Sequence, residues 1–80
     1  MKEYQEFVET IARKLVDHPE EVHVNAIDSE KTIILELEVH QDDLGKVIGK
    51  SGRTAKAIRT LLTAISAKRG TKRVILEIIE

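Results

Sequence analysis

The residues in this sequence best suited to holding a ligand are Gly49-Lys50-Ser51-Gly52, where two glycines enclose a cation and a hydroxyl. Glycine tolerates positive φ angles and close approach of another backbone, so a glycine at each end bends the chain into a tight loop. A helical pattern resumes at Arg53, and the first amides of a helix lack intrahelical acceptors and sit at the positive end of its dipole. A phosphodiester suits such a place. Lys50 and Arg53 would add charge beside it, and Gly49 and Gly52 would present no Cβ to hold a nucleic-acid backbone away. Val47 and Ile48, immediately before the loop, would wall one side of a groove for bases.

Other readings of the same residues are weaker. A lone glycine-x-x-glycine also serves as a plain turn between helices. Gly49-Lys50-Ser51 looks like the end of a Walker A loop, but that motif needs a glycine five positions before Gly49 and a preceding strand. Position 44 is leucine, and the segment around it reads as helix. Asp42 and Asp43 could be paired catalytic carboxylates, yet neighbours at a helix start are expected to act as cap and dipole partners. The chain has no cysteine, and His18, His23 and His40 show no ligand spacing, so no metal, cofactor or enzymatic chemistry is indicated.

The loop needs elements to position it. Tyr4, Phe7, Val8, Ile11, Ala12, Leu15 and Val16 follow the i, i+3, i+4, i+7 spacing of an amphipathic helix over 3–17, ended by Asp17-His18-Pro19. His18 is expected to serve only that terminus. Val22, Val24 and Ala26 alternate with polar residues, Asp28-Ser29-Glu30-Lys31 supplies a turn, and Ile33, Leu35, Leu37 and Val39 alternate again, which predicts a hairpin. His23 and His40 fall on its polar positions. Residues 42–48 read as a helix of about two turns. A long helix follows from Arg53 to about Arg69, with Ala55, Ile58, Leu61, Leu62 and Ile65 as its apolar stripe, Arg53, Lys56 and Arg59 opposite, and Gly70 as its C′ cap. Residues 73–80 make a third strand with Val74, Leu76 and Ile78 inward. The order is α-β-β-α-α-β, an α+β fold of two layers with a three-stranded sheet and helices on one face. Ile34, Ile75 and Ile79 would then lie on the open face, either as a dimer contact or as isolated exposed residues.

Eighty residues suffice for one domain, which buries roughly 60% of its unfolded surface. With 41% hydrophobic and 34% charged residues, no apolar run of membrane-spanning length and no signal-peptide layout, the cytoplasm is the default compartment. The net charge of −1 conceals a division. Residues 1–44 carry four Lys/Arg against twelve Asp/Glu, a net −8, whereas residues 45–80 carry nine against two, a net +7. The basic half calls for a polyanion or for self-association of opposite faces.

Val47-Ile48-Gly49-Lys50-Ser51-Gly52-Arg53, followed by Ile58, resembles the signature of the KH family. Two strands before it and one after resemble the bacterial, type II KH-like arrangement, and Gly45 to Leu62 is similar to small stand-alone bacterial KH proteins of the KhpA family. The resemblance covers the whole chain, residues 1–80, with the KH core over about 21–80. It implies a loop that clamps about four nucleotides of single-stranded RNA without an aromatic platform. It also implies low specificity, action as an RNA chaperone or post-transcriptional regulator, and a homodimer or a heterodimer with a larger KH protein of the KhpB/Jag type in cell elongation and envelope homeostasis. RNA-binding positions would be Gly45, Lys46, Val47, Ile48, Gly49, Lys50, Ser51, Gly52, Arg53 and Lys56, with the second strand bounding the groove. The chain departs from the common pattern in having Ala55, not a large aliphatic residue, three after the second glycine. Single-stranded DNA suits the same loop, because nothing in it requires a 2′-hydroxyl. The rival reading is a dimerisation or scaffold module with a vestigial loop.

Overall fold

Residues 2–80 are described by a computed structural model. Helix α1 (Lys2–Leu15) precedes β1 (His23–Asp28) and β2 (Thr32–Glu38); α2 (Leu44–Ile48) and α3 (Arg53–Arg69) follow, and β3 (Arg73–Ile78) closes the chain. The α-β-β-α-α-β order and the two-layer α+β architecture are those expected. The sheet runs β1-β2-β3, antiparallel between β1 and β2 and parallel between β2 and β3. Parallel neighbours need a crossover, here made by the helical pair α2–α3. Among the described residues no helix is long and apolar enough to cross a membrane.

Alternation sets the layers. Val24, Ile33, Leu35, Leu37, Val74 and Leu76 are buried under the helices, where Tyr4, Val8, Ala12, Ile58 and Leu62 meet them. Leu61, expected in the α3 stripe, is instead 48% exposed. It lies roughly a quarter turn from the stripe centred on Ile58 and Leu62, and Ser66 takes the inner position one turn on. The α3 C-terminus is closed as expected by Gly70 at φ 68°, with the amides of Gly70 and Thr71 reaching back to Ala67 and Ser66. Tyr4 Oη lies 2.6 Å from Thr71 Oγ1 and Arg69 lies 2.9 Å from Glu3, so the start of α1 is held to the end of α3.

Helix α1 stops at Leu15, two residues before its expected end. Val16 still donates to Ala12, but the next two amides leave the helix: those of Asp17 and His18 donate to the carboxylate of Asp43. Proline 19 then opens a 3-10 turn, Pro19–Glu21. The expected role of Asp43 as a cap on its own helix is not the one it plays. It is fully buried, makes no side-chain capping bond to α2, and stops α1 from a distance.

Candidate nucleic-acid interface

The loop between α2 and α3 takes its shape from three left-handed residues in a row of four. Gly49 has φ 79° and ψ 168°, Ser51 φ 57° and ψ 25°, and Gly52 φ 74° and ψ 13°. The first of these conformations is essentially restricted to glycine. A Cβ on Gly49 would also run into the side chain of Thr54 and come within 2.8 Å of its amide, so that space is filled from within the protein. At Gly52 a Cβ would meet nothing within 4 Å. Only Gly52 therefore offers the open approach expected of both.

The amides divide similarly. Gly49 N–H donates to Gly45, Gly52 N–H to Gly49, and Arg53 N–H to Lys50. Those of Lys50 and Ser51 have no acceptor among the described residues. The N-cap of α3, Gly52, places no side chain over the helix start. The anion seat is thus narrower than the expected span from Gly49 to Arg53: two outward amides at the tip of an uncapped helix.

Around it, Lys50, Arg53 and Lys56 are exposed and form no ion pair among the described residues. Lys46 differs. Its Nζ lies 3.3 Å from Asp17 and 3.7 Å from Asp43, which commits it to tying α2 to the end of α1. Gly45 is exposed and accepts from Gly49. Val47 is fully buried and belongs to the core, so of the two expected groove walls only Ile48, half-buried, reaches the surface. Ala55 is buried too.

The second strand cannot bound the groove, because β2 is central and covered on both edges. The strand beside α3 is β3, and between them lies a cleft of about 170 Å³ lined by Arg59, Thr63, Arg73, Val74, Ile75 and Leu76. Arg59 holds one side of it, with Nε and Nη2 at 3.3 and 3.2 Å from the Leu76 carbonyl. Lys56, Arg59 and Thr63 succeed one another at helical spacing, so a continuous stripe leads from the loop to the cleft. The sequence marks Arg59 as basic, but its carbonyl partner on β3 depends on the strand order.

Behind the loop, buried Asp43 and half-buried His18 make a brace. The ring Nδ1 of His18 lies 3.0 Å from Asp43 Oδ2, and the ring stacks on His40 with centroids 4.0 Å apart. The hydrogen bond to Asp43 holds the His18 pKa above its ordinary value, against the opposing effect of desolvation. Burial pushes the Asp43 carboxyl upward, but the hydrogen bonds from the His18 ring and from the amides of Asp17 and His18 outweigh it and leave the pKa lowered. His40 Nδ1 accepts from the Asp42 amide at 3.0 Å, so it caps the turn before α2. His18 thus does more than end α1. No cluster of His, Cys, Asp or Glu suited to a metal occurs among the described residues.

The chain resembles known proteins over nearly its whole length. The family profile of the KhpA/KhpB KH domain matches residues 5–78. A protein of Clostridium perfringens named RNA-binding protein KhpA is 57% identical over 75 residues, covering 94% of this chain and 99% of that one. A protein of the same name from Aquifex aeolicus is 52% identical over 80 residues, covering all of both. In fold, the chain is similar to part of the Aquifex aeolicus Era crystal structure, with a TM-score of 0.70 at 19% identity, over 94% of this chain and 29% of that one. By profile and by identity, the chain belongs to the KhpA/KhpB family of KH-domain proteins.

Proposed function

We propose that this chain binds single-stranded RNA, seating a phosphate on the amides of Lys50 and Ser51 and leading the strand past Lys56 towards the α3–β3 cleft. The observation that carries this reading is the coincidence, among the described residues, of two unpartnered loop amides with three unpaired cations, Lys50, Arg53 and Lys56, at an uncapped helix start. The relatives' name, RNA-binding protein KhpA, supports the choice of polymer. Contacts are made by Gly45, Ile48, Gly49, Lys50, Ser51, Gly52, Arg53 and Lys56; Lys46 and Val47 act by holding α2 in place.

A seat for about four nucleotides binds weakly, so useful affinity requires a second RNA-binding unit and the avidity it brings. That unit is a second copy or a larger KH chain of the KhpB/Jag type. The working assembly is then a cytoplasmic RNA chaperone or post-transcriptional regulator in cell elongation and envelope homeostasis.

Fluorescence anisotropy with short labelled oligonucleotides tests the reading. Lys50→Asp/Ser51→Asp should abolish RNA binding while the circular dichroism spectrum stays that of the wild type. Unchanged binding by the double variant removes the loop from the site. Matched RNA and DNA strands in the same titration decide whether a 2′-hydroxyl is read.

A further inference from the structure

Four donors from two separate segments converge on the buried carboxylate of Asp43. Its Oδ1 accepts from the Asp17 amide at 3.2 Å and lies 3.7 Å from Lys46 Nζ, while Oδ2 lies 3.0 Å from both the amide and the ring Nδ1 of His18. Asp17 and His18 follow α1, whereas Lys46 stands on α2 and also reaches Asp17 at 3.3 Å. The His18 ring lies on His40 with 14° between the planes. Because His40 Nδ1 accepts from the Asp42 amide, a role that requires an unprotonated nitrogen, His18 is the ring of the pair placed to carry charge. The other charges facing the pair are Glu21, 3.8 Å from His40 Nε2, Asp42, 3.8 Å from His40 Nδ1, and Glu20, whose charge acts on His18.

We propose that His18 is a positioning residue for RNA binding: its charged ring, acting through Asp43 and Lys46, holds α2 where the Lys50 and Ser51 amides face a phosphate, and loss of its proton weakens the grip. This rests on the RNA reading above and adds a regulation of the same site.

The coupling runs through the charge on Asp43. A buried carboxylate keeps its place only while that charge is compensated. With the ring protonated, two cations share the carboxylate, and Lys46 bridges Asp43 and Asp17. A neutral ring can still donate from Nδ1 but brings no charge, which leaves Lys46 as the one cation near Asp43 among the described residues and draws it away from Asp17. Lys46 sits on a helix of five residues that ends at Gly49, whose amide is bonded back to Gly45, so a displacement of α2 passes directly into the loop. The hydrogen bond to Asp43 holds the His18 pKa above its ordinary 6.5, against desolvation, so the proton leaves as pH rises beyond that value.

The seat by itself predicts no such response. Lysine, arginine and phosphodiester groups in general keep their charges between about pH 6 and 8.5, so contacts from Lys50, Arg53 and Lys56 alone give flat binding there. His23 alternates with the buried Val22 and Val24 and so stands on the sheet face turned away from the helices. Linkage makes the effect reciprocal. If the charged form binds RNA about fivefold more tightly, RNA must raise the midpoint of the ring titration by about 0.7 on the pH scale.

Anisotropy titrations of the full chain with a short single-stranded RNA, from about pH 6 to 8.5 at constant salt, are the test, run where every variant keeps the wild-type circular dichroism spectrum. The wild type should lose about fivefold in affinity across the range, His18→Gln should be flat at the weaker value, and His18→Lys, a permanent cation, flat at the tighter one. A His18→Gln variant that keeps the wild-type profile overturns the proposal. Binding without any response to pH overturns it and leaves the loop reading standing, whereas no binding at any pH overturns both. A second measurement needs no RNA. As the His18 ring is titrated by NMR, the amide shifts of Lys50 and Ser51 should move with the same midpoint, and a ring that titrates while both amides stay in place would also overturn it.

Discussion

His18 and Asp43, 25 positions apart in the chain, meet twice: the amide and the ring Nδ1 of His18 each lie 3.0 Å from Asp43 Oδ2. One carboxylate therefore ends α1, orients an imidazole and anchors the start of α2. Because the first turn of α2 leads into the Lys50 loop, this brace sets where the anion seat stands relative to the sheet.

Its stability contribution should follow pH in both directions. The raised His18 pKa means that the charged ring is favoured in the folded state, a contribution complete below the ordinary value of 6.5 and lost as pH rises through the folded value. The lowered Asp43 pKa contributes above the ordinary 3.8 and is lost as pH falls through its folded value. Urea midpoints should thus be highest between about pH 4 and 6.5 and decline on both sides. His18→Gln should flatten the decline on the alkaline side, and parallel profiles for variant and wild type from pH 6 to 9 would dismiss the brace. Asp43→Ala, which strands two amides, should lower the midpoint across the whole range.

The cations should separate by their response to salt. Each phosphate contact with a single strand contributes about 0.7 to the slope of log K against log salt, so Lys50, Arg53 and Lys56 together predict a slope near −2. Alanine at any of the three should reduce it by about 0.7. Lys46→Ala should leave the slope unchanged and lower the thermal midpoint, because Lys46 is paired with Asp17 and Asp43. A slope that falls equally in all four variants would place Lys46 on the RNA.

What was legible in the sequence was whatever depends on local period and chain order. Ile33, Leu35 and Leu37 alternate in sequence and are buried in the structure; Gly70 sits one past a helix and is left-handed there. What was not legible depends on closures between distant segments. Asp43 reads as a helix cap until the end of α1 is brought to it. Val47 and Ile48 read as equals, because only the tilt of a five-residue helix decides which turns inward. The strand beside the groove is β3 because α3 lies over that edge of the sheet, a relation that no stretch of sequence carries by itself.

The two loop glycines should fail for different reasons. Gly49→Ala forces a side chain into a glycine-only conformation and against Thr54, and should cost about 3 kcal/mol in denaturant unfolding. Gly52→Ala has open space and only the left-handed penalty, about 1 kcal/mol. Its deficit should instead appear in RNA affinity, where the new methyl stands in the way of the strand. Equal losses of stability in the two variants would contradict the packing of Thr54 beneath Gly49.

Val47 and Ile48 offer the sharpest separation of core from surface. Val47 is fully buried and truncation to alanine removes two methyl groups, so Val47→Ala should cost about 2 kcal/mol of stability through the cavity it leaves. RNA affinity per folded molecule should be unchanged. Ile48→Ala removes a half-buried side chain at the lip of the loop and should cost under about 1 kcal/mol, while weakening RNA binding severalfold where a base loses its apolar wall. Both quantities come from one pair of experiments, a urea melt and an anisotropy titration on each variant. If Val47→Ala weakens RNA binding as much as Ile48→Ala under conditions where both are folded, the groove extends deeper than the surface of α2 and takes in residues assigned here to the core.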